Sequence, residues 1–132
     1  APAPPAEGLA GAGVALLVDD DEIVRKVGAR MLERLGFAVL TAEDGRAAVE
    51  VFERRAADIA CVLLDLTMPK MDGVEAFRAI RRIDPDARVI LSSGHPEREL
   101  ADRFADEEPP LFAHKPYRFD TLAALLRRLL AS

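Results

Sequence analysis

Four short apolar runs in this sequence each end on charged or hydroxyl side chains, and they do so in chain order. The runs and the polar residues that follow them are 14–18 with Asp19, Asp20 and Asp21; 59–64 with Asp65; 89–91 with Ser92 and Ser93; and 111–114 with Lys115. Ligands in open α/β sheets bind just outside the carboxyl ends of the strands. The pattern therefore predicts that carboxylates, a hydroxyl and an ammonium group meet at one edge of one sheet.

Strand-like and helix-like segments alternate along the chain. Strands are predicted at 14–18, 37–41, 59–64, 87–92 and 111–114. Apolar residues at helical spacing predict five helices: one closing at Gly36, one beginning near Asp44, one from Gly73 to Ile83, one beginning at Pro96 and one carrying Phe119 to Leu129. Five successive β-α units predict an α/β fold, a doubly wound five-stranded parallel sheet with helices on both faces. The strand at 59–64 is apolar throughout, as a central strand should be.

Composition divides the chain into a tether and one folded domain. Residues 1–13 are rich in Pro, Ala and Gly and predict a flexible tether, and residues 14–132 predict a single domain. The formal charge of −5 argues against a nucleic-acid surface, and no apolar run is long enough to predict direct membrane contact. The single cysteine, Cys61, excludes an intramolecular disulfide, so we expect a cytoplasmic location.

The acidic residues at the predicted sheet edge need a counter-charge. At a separation of about 4 Å and an effective dielectric constant near 20, the charges of Asp19 and Asp20 would repel each other by about 4 kcal/mol. Asp65 adds a third negative charge. Mg²⁺ relieves such repulsion, because it prefers oxygen ligands and keeps several waters. The alternative is that the acidic run only caps the first helix. We expect Asp21 to cap that helix and Asp19, Asp20 and Asp65 to bind metal.

Asp65 is also a candidate nucleophile, since carboxylates can accept phosphoryl groups covalently. A metal ion together with the Lys115 ammonium would neutralise charge on the transferred group, which is most of what phosphoryl transfer requires. Ser92 and Ser93 are adjacent in a predicted strand, so their side chains point to opposite sides of it. At most one of them can serve the site.

With these residues in place, the chain resembles the response-regulator receiver domains of bacterial two-component signalling over residues 14 to about 130. The matching motifs are LVDDD at 17–21, LLDLTMP at 63–69, MDG at 71–73, LSSG at 91–94 and KPY at 115–117. The resemblance implies a flavodoxin-like (βα)5 fold in which Asp65 accepts a phosphoryl group from phosphohistidine. It also implies a signalling domain with self-catalysed phosphotransfer and dephosphorylation rather than an enzyme in the usual sense.

The resemblance assigns roles around the acceptor. Mg²⁺ would be held by Asp19, Asp20 and Asp65 together with the backbone carbonyl of Thr67. Lys115 would pair with the phosphate, and the peptide bond that follows it is expected in the cis form.

It also assigns a switch and a control on phosphate lifetime. Ser93 would be the switch hydroxyl, and Phe112 falls where the family keeps a rotating aromatic residue. Thr67 and His95 would flank the path of the hydrolytic water and tune dephosphorylation. Two prolines, at 109 and 110, replace the Gly-containing turn usual before the last strand, so the switch surface is expected to be atypical.

Finer similarity, in 81–85, 92–94 and 115–117, is to receivers at the C-terminus of hybrid sensor histidine kinases. The expected partner is then a histidine kinase or a histidine phosphotransfer domain, and a phosphorylation-dependent homodimer is a further possibility. The alternatives are a stand-alone single-domain response regulator and a pseudo-receiver that binds partners without taking phosphate.

Two other phosphate-handling families fit less well. Haloacid-dehalogenase-like phosphatases require Asp-x-Asp, whereas Thr67 stands two residues after Asp65. A P-loop NTPase would need the motif Gly-x-x-x-x-Gly-Lys-[Ser/Thr], which does not occur.

Overall fold

The computed structural model describes residues 13–68, 70–94, 103–104 and 110–131. The strands are β1 (Val14–Val18), β2 (Ala38–Ala42), β3 (Ile59–Asp65), β4 (Val89–Ser93) and β5 (Leu111–His114). The helices are α1 (Glu22–Arg34), α2 (Gly45–Arg55), α3 (Gly73–Ile83) and α4 (Phe119–Ala131). Nearly all of the predicted tether and most of the helix predicted to begin at Pro96 lie outside these residues.

The five strands form one parallel sheet in the order β2-β1-β3-β4-β5, which confirms the predicted fold class. Strand β3 is central, as its apolar sequence predicted. Its last residue, Asp65, stands beside Ser92, and Ser93 stands beside His114 at the end of β5. This register brings the polar residues that follow the apolar runs to the same edge of the sheet.

Successive side chains along the strands pack into two apolar layers, one on each face of the sheet. Leu16 and Leu64 point into the layer under α2 and α3, whereas Leu17 and Leu63 point into the layer under α1 and α4. All four are almost completely buried. Burial on both faces explains why these strands read as continuous apolar runs rather than as an alternating pattern.

Two strands begin later than predicted. Phe37 is buried, but its backbone takes part in the turn that ends α1. The Phe37 amide donates to the Leu32 carbonyl, and the Gly36 amide donates to the Glu33 carbonyl. Gly36 takes a positive φ of 105°. This is a Schellman motif. Before β4, the Ala87 carbonyl accepts a hydrogen bond from the Arg81 side chain, and β4 starts at Val89 instead of residue 87.

Aspartates fix the start of three helices. Asp21 accepts hydrogen bonds from the amides of Ile23 and Val24, which confirms its predicted role as the cap of α1. Asp44 and Asp72 cap α2 and α3 in the same way. Among the described residues, no helix is both long and apolar enough to span a bilayer.

Candidate functional site: an acidic pocket at the carboxyl edge of the sheet

A cavity of about 300 Å³ opens at the carboxyl edge of the sheet. Half of its lining residues are aspartates, and it combines the ends of β1, β3, β4 and β5. The lining residues are Asp19, Asp20, Asp21, Asp65, Thr67, Ser93, Gly94 and Lys115. The structure thus brings together the predicted acceptor, metal ligands, switch hydroxyl and lysine, whereas His95 lies outside the described residues.

Asp65 is held by the close approach of two backbone segments. Its side chain is almost fully buried at the end of β3. The Leu66 amide donates to the Ser92 carbonyl at 2.8 Å, and the Gly73 amide donates to the Leu66 carbonyl at 2.8 Å. A Cβ on residue 73 would overlap the Asp65 carbonyl, so glycine is required for this approach. The acceptor is therefore fixed by its own loop as well as by the sheet.

Asp19 is the most enclosed carboxylate of the pocket, with no exposed surface. One oxygen accepts from the Asp21 amide at 2.9 Å and the other from the Lys115 ammonium at 2.8 Å. The Arg25 side chain donates to the Asp19 backbone carbonyl at 2.8 Å. No motif in the sequence indicated this arginine, because a contact from the first turn of α1 back to the residue after β1 has no pattern of its own.

Lys115 bridges two of the carboxylates. Its ammonium lies 2.8 Å from Asp19 Oδ2 and 3.0 Å from Asp65 Oδ1. Burial alone would lower the pKa of Lys115, but the hydrogen bonds to Asp19 and Asp65 outweigh it and raise that pKa above its ordinary value. The Lys115 amide donates to the Ser93 carbonyl, and the Lys115–Pro116 bond is cis, as expected. The ammonium is therefore charged and already aimed at the acceptor.

Burial also dominates the acid-base behaviour of Asp65. Desolvation raises the pKa of Asp65 to about 6, although the hydrogen bond from Lys115 opposes it; Asp19 and Asp20 raise it further. Ionised Asp65 is thus strained electrostatically at neutral pH. A carboxyl pKa raised in this way is typical of functional sites.

Three carboxylates could hold a metal ion. Ligand oxygens of Asp19, Asp20 and Asp65 lie within 4.8 Å of one another. At that separation and an effective dielectric constant near 20, each pair of charges repels by about 3 to 4 kcal/mol. Lys115 supplies one positive charge against three negative ones. Hard oxygen donors with excess negative charge fit Mg²⁺, and exposed Asp20 leaves the site open to its water ligands.

The two serines of β4 separate as their alternation predicts. Ser93 lines the cavity, whereas the Ser92 hydroxyl lies 2.8 Å from the Tyr117 hydroxyl inside the protein. Both serines are buried. The alternation of the strand indicated only that one serine could serve the pocket, and the family resemblance selected Ser93. Neither gave a sign of Tyr117 as the hydrogen-bond partner of Ser92.

Phe112 lies outside the acidic pocket. It is partly buried, packs against the apolar layer under α2 and α3, and meets the His114 ring edge-on at 4.9 Å between centroids. Together with Tyr117 and Leu125 it lines a separate, apolar cavity of about 310 Å³ beside α4.

Comparisons with known proteins agree with the observed fold. The family described as "Response regulator receiver domain" matches residues 15–127. The chain is 33% identical over 122 residues to "Sensor kinase CckA" of Brucella abortus, which is 92% of this chain but 13% of that protein. It is 32% identical over 116 residues to "Chemotaxis protein CheY" of Bacillus subtilis, which is 87% of this chain and 95% of that protein.

Among solved structures, the CheX–CheY–BeF3–Mg²⁺ complex from Borrelia burgdorferi contains a similar chain. The TM-score is 0.83 at 29% identity, with 91% of this chain and 90% of that chain covered. The similarity to CckA involves a small part of a long protein, whereas the similarity to CheY involves nearly the whole of a short one.

Proposed function

The chain belongs to the response-regulator receiver family, and from that premise we propose that it accepts a phosphoryl group from phosphohistidine onto Asp65, with Mg²⁺, and changes conformation in response. The observation that carries the proposal is the convergence of Asp65 with Lys115 and two further carboxylates in one open pocket. The mutual repulsion of these carboxylates costs stability, which favours a site with a chemical role over a purely structural one.

In the proposed transfer, a carboxylate oxygen of Asp65 attacks the phosphorus atom as the N–P bond of phosphohistidine breaks. The imidazole keeps the electron pair of that bond and takes up a proton from solvent. Lys115, 3.0 Å from the acceptor carboxylate, neutralises charge on the transferred group. Ionisation of Asp65 is nearly complete at neutral pH even with its pKa at about 6.

We assign the Mg²⁺ ligands to Asp19, Asp20 and Asp65, with the Thr67 backbone carbonyl as a further oxygen. The convergence of the three carboxylates supports this assignment. Bound Mg²⁺ supplies positive charge for the phosphoryl oxygens. These residues would hold the ion, and Asp19 also keeps Lys115 beside the acceptor.

The test is intact mass after incubation with acetyl phosphate in Mg²⁺ or in excess chelator. Wild type should gain one phosphoryl group only with Mg²⁺, and Asp65→Asn should gain none. Asp21→Asn is the matched control: it removes a carboxylate from the same cavity, and asparagine caps a helix as well as aspartate does. Equal labelling of Asp65→Asn would refute the assignment. No labelling of wild type, with no beryllofluoride binding, would favour the pseudo-receiver.

For the response to phosphate, we propose Ser93 as the switch hydroxyl and Phe112 as the aromatic residue that turns inward. Ser93 lines the pocket, and Phe112 is half-buried one strand away. Phosphate adds charge and acceptor oxygens that would draw Ser93 inward and leave space for the ring. NMR of ring-labelled Phe112 should show two environments whose populations shift with beryllofluoride, and one unmoved environment would contradict it.

For phosphate lifetime, we propose that Thr67 and His95 control access of the hydrolytic water. Thr67 is exposed and lines the cavity. Exchanging Thr67 for Asn and His95 for Glu should change the half-life of the aspartyl phosphate several-fold without abolishing phosphorylation. An unchanged half-life would show that these side chains do not act on the water.

We further propose that the chain is the receiver of a hybrid histidine kinase in the cytoplasm. Its similarity to CckA over 92% of its own length supports this, and the partner would be a histidine kinase or phosphotransfer domain, with a phosphorylation-dependent homodimer as a further interaction. The similarity to almost the whole of CheY supports the second candidate, a stand-alone regulator. The coding sequence upstream of Ala1 decides between them, since a histidine-kinase core there is required by the first and excluded by the second.

A further inference from the structure

Behind the acidic pocket, a tyrosine is joined to the strand that carries Ser93. The hydroxyls of Tyr117 and Ser92 lie 2.8 Å apart, on the side of the sheet that α1 and α4 cover. Tyr117 is 8% exposed and Ser92 is fully buried. Among the described residues, each hydroxyl is the hydrogen-bond partner of the other, and the pairing matters because an unpaired hydroxyl in an apolar layer is costly.

The Tyr117 ring has a defined place because α1 approaches it closely. A Cβ on residue 28 of α1 would lie 3.3 Å from Tyr117 Cε2 and 3.0 Å from Leu17 Cδ2. Glycine at this position lets the ring sit between α1 and the end of β4. Burial also raises the pKa of Tyr117 well above its ordinary value, so the hydroxyl stays protonated and neutral.

The end of β4 is connected to both functional segments of the pocket. The Ser92 carbonyl accepts from the amide of Leu66, which follows the acceptor, and the Ser93 carbonyl accepts from the amide of Lys115. Tyr117 is two residues beyond Lys115. The Tyr117–Ser92 hydrogen bond thus ties the segment that carries Lys115 to β4 a second time, from the side opposite the pocket.

We propose that Tyr117 is a positioning residue for phosphoryl transfer: its hydrogen bond to Ser92 holds the Lys115 segment against β4, so that the ammonium stays between Asp19 and Asp65. This inference rests on the proposed function of Asp65. It differs from a purely structural role because it concerns the affinity of the folded pocket for a phosphoryl group, not only the stability of the fold.

Beryllofluoride, which stands in for the phosphoryl group on the acceptor, measures that affinity at saturating Mg²⁺ by calorimetry or fluorine NMR. Tyr117→Phe and Ser92→Ala should each weaken beryllofluoride binding by about two- to tenfold, which is the worth of one hydrogen bond. The double variant should be weakened as much as either single variant and no more, because all three lose the same bond. Mg²⁺ affinity should change little, since the carboxylates are untouched.

The matched control is Ile90→Val. Ile90 is fully buried in the same layer of β4, two residues before Ser92, so its shortening weakens the packing without removing a hydroxyl. It should keep wild-type affinity for beryllofluoride. The double Ser92→Ala, Tyr117→Phe variant leaves neither hydroxyl unpaired, so it keeps the test usable if a single variant folds poorly.

A spectroscopic signature is available because Tyr117 is the only tyrosine and the chain has no tryptophan. Tyrosine emission should change when wild type binds beryllofluoride, and Ser92→Ala should reduce that change.

Wild-type affinity in Tyr117→Phe, or an equal loss in Ile90→Val, would overturn the inference and leave the proposed function standing. Failure of wild type to bind beryllofluoride would overturn the proposed function and this inference with it.

Discussion

The apolar centre of the sheet and the acidic pocket at its edge share the same strands but have opposite energetics. In β3, Leu64 is fully buried between apolar neighbours, and the next residue, Asp65, is 3% exposed among charges. Burial of Leu64 stabilises the fold, by about 1.5 to 3 kcal/mol for a side chain of this kind. Burial of Asp65 opposes folding at neutral pH, as its raised pKa shows.

The difference explains how one small domain carries a strained site. The two apolar layers provide the stability, and the pocket uses part of it to keep carboxylates close together before any metal or phosphoryl group arrives. Substitutions in the core should therefore cost stability, whereas replacement of the Asp65 carboxylate by an uncharged side chain should add stability and remove function.

The largest expected effect is in the core. Leu64→Ala should lower the free energy of unfolding by about 2 to 5 kcal/mol, because it leaves a cavity between the sheet and its helices. Urea denaturation measures this loss. Ile23→Ala is the control, since Ile23 is 74% exposed on α1 and should change stability by less than about 0.5 kcal/mol. Similar losses in the two variants would mean that the core does not provide the stability.

The next effect has the opposite sign and depends on pH. The pKa of Asp65 in the folded protein is about 6, above its ordinary value of 3.8, so the native state binds the proton more tightly than the unfolded state does. The free energy of unfolding of wild type should therefore fall as the pH rises from about 4 to about 6. With metal chelated, Asp65→Asn should be more stable than wild type by up to about 3 kcal/mol at pH 7. The difference should vanish below pH 4, and a difference independent of pH would contradict it.

A smaller loss is expected at the loop that supports the acceptor. Gly73→Ala would drive a Cβ into the Asp65 carbonyl and should cost about 1 to 3 kcal/mol while weakening phosphorylation. Gly94→Ala is the matched control at the other side of the pocket, because a Cβ there meets no described atom within 4 Å. Thermal unfolding and phosphoryl labelling of both variants measure the effect, and equal behaviour would show that close packing behind Asp65 is not required.

Much of the fold could be predicted because the apolar runs and the residues at helix ends agree with the observed order of strands and helices. The buried strands are continuous apolar runs, and Asp21 and Gly36 mark the two ends of α1. The predicted first residues of β2 and β4 were wrong by one and two residues, respectively. The Phe37 amide takes part in the end of α1, and the Ala87 carbonyl accepts a hydrogen bond from the Arg81 side chain. The apolar pattern of the sequence does not reveal either contact.

At the site, the sequence indicated the polar residues but not their pairing. Strand order and alternation place Asp65, Ser93 and Lys115 at one edge. The contact of Lys115 with Asp19, 96 residues away along the chain, and the hydrogen bond between Ser92 and Tyr117 depend on tertiary packing that no local motif encodes.

The comparison of core and pocket is tested most directly by the free energy of unfolding of wild type and Asp65→Asn at pH 7, in chelator and then in excess Mg²⁺. Without metal, Asp65→Asn should be the more stable protein. Mg²⁺ should stabilise wild type more than the variant, by at least about 1 kcal/mol, because binding to the native carboxylates relieves their repulsion. Equal stabilisation of both proteins, or a variant already less stable than wild type in chelator, would contradict the account.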